Sequence, residues 1–86
     1  MLSPVVQDAI NEQINHEYQA AYLYLSMAAY CERQSLHGIG SWLRAQSVEE
    51  HGHAMRLYNF MIDWAAIVEL KQIDAPPIEF GSMEKL

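Results

Sequence analysis

Two runs of apolar residues at three-and-four spacing, parted by one polar break, commit this chain to two long helices. The first runs Val6, Ile10, Ile14, Ala21, Tyr24 and Ala28; the second runs Ile39, Leu43, Leu57, Phe60 and Trp64, with Gln46, Glu50 and His53 in step. That recurrence is the period of an α-helix and not the alternation of a strand. Arg33-Gln34-Ser35 is the break, and Ser35 is the expected N-cap of the second helix. The helices are predicted over about residues 5–33 and about 36–67, and a tail from about 68 to 86 follows, in which Ala75-Pro76-Pro77 forces an extended path. Gly81-Ser82 and then Met83-Glu84-Lys85-Leu86 read as the opening of another helix or as a Gly-Ser cloning junction. At 86 residues the chain is one small domain. A lone hairpin leaves both helical seams half open to water, so the fold class expected is all-α, a hairpin that needs a partner.

Three residues on those seams are ones a core ordinarily excludes. Glu17 falls in the first series between Ile14 and Ala21, and Glu50 and His53 take consecutive positions of the second, one above the other, where they can grip the same ion. Glu17 and Glu50 lie at matched sequence distance from the turn, so the helical rise of about 1.5 Å per residue brings all three to one level, on the order of 25 Å from it. Buried carboxylates without compensation cost several kcal/mol and repel each other, and a divalent cation removes the conflict. Carboxylate oxygen with imidazole nitrogen suits iron, manganese or zinc, and lacks the thiolates of a structural zinc knuckle. One hairpin supplies three ligands. Two copies about a two-fold axis at that level supply two Glu17, two Glu50 and two His53, the arrangement of di-iron carboxylate bundles. Each His and each Glu17 then serves one ion and the Glu50 pair bridges, holding the ions about 3.5–4 Å apart as in other two-metal sites.

The stretches Asn11-Glu12-Gln13-Ile14-Asn15-His16-Glu17-Tyr18, Ala21-Tyr22-Leu23-Tyr24-Leu25-Ser26-Met27-Ala28 and Gln46-Ser47-Val48-Glu49-Glu50-His51-Gly52-His53-Ala54-Met55 resemble the first two helices of bacterial non-haem ferritins. The likeness runs from Met1 to about Ser82. It implies a ferritin-like four-helix bundle, which a two-helix hairpin in need of a partner would reach by antiparallel homodimerisation, with oxidation of Fe(II) for iron storage or detoxification. It also implies that Glu17, Glu50 and His53 are ferroxidase-centre ligands, that Glu49 is an additional iron position, and that Tyr24 is a tyrosine beside the centre, a candidate catalytic residue. By position alone Glu49 points off the stripe, and Tyr24, about 10 Å along the axis from Glu17, is a core residue with a hydroxyl to satisfy. Ferritin subunits carry two further helices that this sequence lacks. Where the family has a charged, glycine-rich turn this chain reads Trp64-Ala65-Ala66-Ile67, expected to lengthen the second helix, and Val48 stands in a normally acidic stretch. These departures point to an engineered or truncated half-ferritin, a natural two-helix ferritin being the other source. The competing function is a self-assembling bundle scaffold whose inherited ligands turn nothing over.

Charge and cysteine content narrow the rest. A net charge of −6, from 11 acidic and 5 basic residues, argues against nucleic acid, whose backbone demands a basic face. No uninterrupted apolar run of about 18 residues and no leader pattern occur, so the expectation is a soluble cytoplasmic chain with no membrane partner. The single Cys31 reads as a small buried apolar residue. His16, His37 and His51 read as surface residues, Met27, Met55 and Met61 as filler. Leu23, Met27 and Tyr30 offer a second association face, which allows assemblies beyond the dimer.

Overall fold

The computed structural model describes residues 1–82, so the helix expected from Met83 lies outside the described residues. Helix α1 spans Pro4–Arg33 and α2 spans His37–Asp63, antiparallel and packed along their lengths in a rod of 49 × 19 × 16 Å. Neither helix is long and apolar enough to cross a membrane. The start of α1 follows from its sequence: Ser3 is extended and its Oγ accepts the Val6 amide at 3.2 Å, while Pro4 occupies the first helical position, where its missing N–H costs nothing.

Helix α1 ends where expected, but the role of Ser35 and the end of α2 depart from expectation, and for one reason. Ser35 does not cap α2; it takes φ +60° as the residue that closes α1, with its amide bonded to the Glu32 carbonyl at 3.1 Å and the Leu36 amide to Cys31 at 2.8 Å. Leu36 is the N-cap, and its side chain makes no cap hydrogen bond. Nor does α2 continue to Ile67. Ala65 is left-handed at φ +54°, and the Ala65 and Ala66 amides bond back to Ile62 at 3.0 Å and Met61 at 2.9 Å. Each is a Schellman closure sealed by an apolar contact, Leu36 in the cluster of Cys31 and Ala66 in that of Met61. Serine and alanine stand where glycine is the usual residue, which hid the closing role of Ser35 and the stop of α2.

The core is two clusters with the site level between them. Ala28, Tyr30, Cys31 and Leu43 pack near the turn with Tyr24, Met27, Leu36, Ile39 and Phe80; Ile14, Ala54 and Met61 pack near the open end with Ile10, Tyr18, Leu57, Tyr58 and Val68 among others. Ser47 Oγ donates to the Ala21 carbonyl at 2.6 Å, closing the helix crossing between the clusters. Large apolar side chains remain outside: Tyr22, Leu25 and Val48 on one flank, Val6, Phe60 and Trp64 on the stripes of the other.

From Ala66 to Ser82 the chain forms neither helix nor strand and returns along α1 in the same direction. Its backbone is held by a row of α1 side chains. Gln7 Oε1 accepts the Ile67 amide at 3.0 Å; Asn11 donates to the Ile67 carbonyl at 2.9 Å and accepts the Glu69 amide at 3.0 Å. Asn15 accepts the Lys71 amide at 2.9 Å, and Gln19 both accepts from and donates to Asp74, at 2.8 and 3.0 Å. Four helical residues rise about 6 Å and two near-extended residues span slightly more, so amides four apart on α1 meet tail residues two apart. Ser26, Arg33 and Tyr30 continue the row to the carbonyls of Pro77, Ile78 and Gly81, each at 2.6 Å, and Phe80 meets the Tyr30 ring edge-on at 5.8 Å.

Candidate metal centre

Halfway along the hairpin, Glu17 from α1 meets Glu50 and His53 from successive turns of α2. One ligand atom from each lies within 4.8 Å of the others. His53 Nδ1 is 3.5 Å from Glu17 Oε2 and 3.6 Å from Glu50 Oε2. The side chains are 17%, 21% and 36% exposed for Glu17, Glu50 and His53, so the group lies in the rim of the seam with one side open. Their positions follow from the stripes, since the helical period that buries Ile14 and Ala54 brings Glu17 and Glu50 onto adjoining faces.

The two oxygens of Glu17 have different fates. Oε1 accepts from Gln13 Nε2 at 2.9 Å, one helical turn back. Oε2 is buried and, among the described residues, has no hydrogen-bond partner. Contact with the Glu50 carboxyl pulls Glu17 below the ordinary carboxylate range, with Gln13 and His53 assisting and burial opposing. The same contact, reinforced by burial, lifts Glu50 above it. Two carboxyls in one rim cannot both ionise freely, and their titrations are tied to each other. A buried, unpartnered carboxylate oxygen beside an imidazole nitrogen is a donor set that a divalent cation completes, of a hardness that fits iron, manganese or zinc. One hairpin offers three such donors, short of a filled coordination sphere.

The other residues singled out by sequence fall elsewhere. Glu49 is exposed and outside the triad, and Tyr24 packs against the cluster of Ala28 and Leu43 toward the turn. His16, His37 and His51 are exposed; His37 Nδ1 contacts Glu32 Oε2 at 2.6 Å, and His51 meets the Tyr18 ring edge-on at 5.3 Å. Cys31 is buried, its thiol pushed up by burial with a lesser effect of Glu32. Sequence reasoning missed Gln13, although its four-residue spacing from Glu17 is the helical hydrogen-bonding distance.

The sequence pattern of the ferritin-like domain matches residues 7–86. The chain is 41% identical over 83 residues to the bacterial non-heme ferritin of Staphylococcus aureus, and 41% identical to that of Staphylococcus haemolyticus, in each case over 96% of this chain and 50% of the relative. It therefore spans about half the length of the curated relatives it matches. Among solved structures it is similar to the open pore ferritin of Archaeoglobus fulgidus, with 40% identity and a TM-score of 0.91 over 95% of this chain and 50% of that one. A humanized archaeal ferritin superposes with a TM-score of 0.93 at 38% identity, over 96% of this chain and 51% of that one.

Proposed function

The chain belongs to the ferritin-like domain family, and from that premise we propose that it takes Fe(II) as substrate at Glu17, Glu50 and His53 and oxidises it in a two-ion centre completed by a second copy of itself. The observation that carries the reading is Glu17 Oε2, a buried carboxylate oxygen with no hydrogen-bond partner among the described residues, at the junction of two more ligand atoms. The second copy is supported by position. Glu50 stands at the midpoint of α2, and Glu17 within two residues of the midpoint of α1. A two-fold axis through the site overlays the helices along their whole length, and an isologous pairing of this kind doubles the donors at the axis.

The residues divide the work. Gln13 fixes one oxygen of Glu17 and leaves the other for the ion; His53 would add an imidazole nitrogen, and Glu50 would be the carboxylate shared between two ions. Attraction to carboxylate oxygen rises with the charge of the ion, so these ligands stabilise Fe(III) more than Fe(II) and lower the potential at which iron gives up its electron. Two Fe(II) ions and dioxygen, with two protons, yield two Fe(III) ions and hydrogen peroxide. Tyr24 is assigned as the neighbouring tyrosine able to donate an electron, and Glu49 as a further iron contact at the surface. The protein acts in the cytoplasm in iron storage or detoxification; zinc and manganese compete for the same ligands.

The test is anaerobic addition of Fe(II) followed by air, read by ferric absorbance. The parent should oxidise iron at least tenfold faster than the Glu17→Ala, Glu50→Ala double variant. Equal rates overturn the ferroxidase reading and leave a bundle with inherited ligands.

A further inference from the structure

The triad face holds two features that oppose each other in self-association. Its ends are apolar: Val6, Phe60 and Trp64 are exposed on the stripes toward the open end, with the Phe60 and Trp64 rings 5.9 Å apart, and Tyr24, Met27 and Ile39 are half-buried toward the turn. An antiparallel second copy, centred on the site, lays the Trp64 end of one chain on the Tyr24 end of the other and hides both. Its centre is acidic. Each hairpin brings Glu17 and Glu50 to the axis with the single imidazole of His53 beside them, on a chain of net charge −6. Four carboxylates meet there, and neither lysine nor arginine is among the clustered groups.

We infer that docking of the second copy through this face is gated by divalent cation: the apolar ends supply the attraction, the facing carboxylates of Glu17 and Glu50 withhold it, and bound ions release it. The inference rests on the reading of the triad as a metal site and adds a regulation to it, because metal supply then sets the population of the assembled form. The occupant is a second copy because the site sits at mid-length of both helices, so that a two-fold axis through it overlays each hairpin on the other along its whole length. By linkage, an ion that favours the dimer is itself bound more tightly by the dimer. With each of two ions about tenfold tighter in the dimer, inside the usual range of coupling, the dimer Kd falls about a hundredfold.

Sedimentation velocity of the full 86-residue chain, in chelator and in Zn(II) as a redox-inert probe, tests this beside the Glu17→Gln, Glu50→Gln variant, which keeps shape and removes charge. The parent is expected to be mainly monomer in chelator and a dimer carrying two zinc ions when loaded, its dimer Kd lower by about a hundredfold. The double variant is expected to dimerise more tightly than the parent in chelator and to ignore zinc. A parent dimer equally tight in both buffers overturns the gate and leaves the metal site standing, as does a charge-free variant no tighter than the parent in chelator. A parent that binds zinc and stays monomeric overturns the gate and the second copy together. A parent that binds no zinc overturns the reading of the site itself.

Discussion

Replacing Asn11 with alanine should detach the return strap from α1 while leaving the hairpin folded. Asn11 is 5% exposed and its amide spans both polar groups of the passing backbone, donating to the Ile67 carbonyl at 2.9 Å and accepting the Glu69 amide at 3.0 Å. Each bond contributes about 1 kcal/mol net, and because Ile67 and Glu69 are exposed, water can replace the lost partner, so the loss is about 2 kcal/mol in all. By the factor of ten for each 1.4 kcal/mol, the Glu69 and Lys71 amides should exchange with solvent about thirty times faster. Native-state hydrogen exchange reads this directly, and trypsin supplies a second measure because Lys71 lies within the strap. Amides near Ile14, Ala54 and Met61, in the open-end cluster, should keep their protection. Unchanged exchange at Glu69 and Lys71 in the variant, with Asn11 gone, would show that the side-chain row does not hold the strap.

Two further outcomes follow from the local chemistry. Ala65→Gly should raise stability by about 1 kcal/mol, the cost of holding an L side chain at φ +54°, with a further similar gain for Ser35→Gly at φ +60°; urea midpoints that fail to rise would show that the alanine methyl packs to compensate. In chelator, a raised Glu50 makes the folded state bind a proton more tightly than the unfolded chain, so stability should fall as pH rises from the ordinary carboxylate range toward the folded pKa of Glu50, whereas the lowered Glu17 makes stability fall as pH drops below that range. Thermal midpoints across pH should thus peak near the ordinary carboxylate range, and Glu50→Gln should flatten the limb above it; an unaltered limb refutes the assignment.

What could be read from the residues was whatever the helical period alone determines. Glu17, Glu50 and His53 were placed together because a rigid helix converts sequence distance into position, and the matched distances from the turn left one level for all three. The end of α1 was legible in the polar break, but the closing role of Ser35 and the end of α2 escaped because they depend on left-handed closure at Ser35 and Ala65, residue types that carry no such signal, and Ser35 imitates a cap. The extended path of the strap was legible in Ala75-Pro76-Pro77, but its docking on α1 escaped because Gln7, Asn11, Asn15 and Gln19 carry no such signal when taken one at a time. Their four-residue spacing acquires meaning only when an extended segment lies alongside, and that is a property of the fold.

The same helix therefore presents amides to opposite purposes, and its period explains how they stay separate. Steps of four residues drift by about 40°, so Gln7, Asn11, Asn15 and Gln19 sweep one side of α1 in a shallow spiral, while a step of two turns about 200° to the far side. Gln13 lies two residues from both Asn11 and Asn15, and it reaches Glu17 while they hold the tail. The strap thus passes behind α1, and none of its described residues is held against the triad face. A hairpin built in this way has its ligands open on one side and its backbone tied down on the reverse, and one row of side chains in phase with the wrong face would have closed the site.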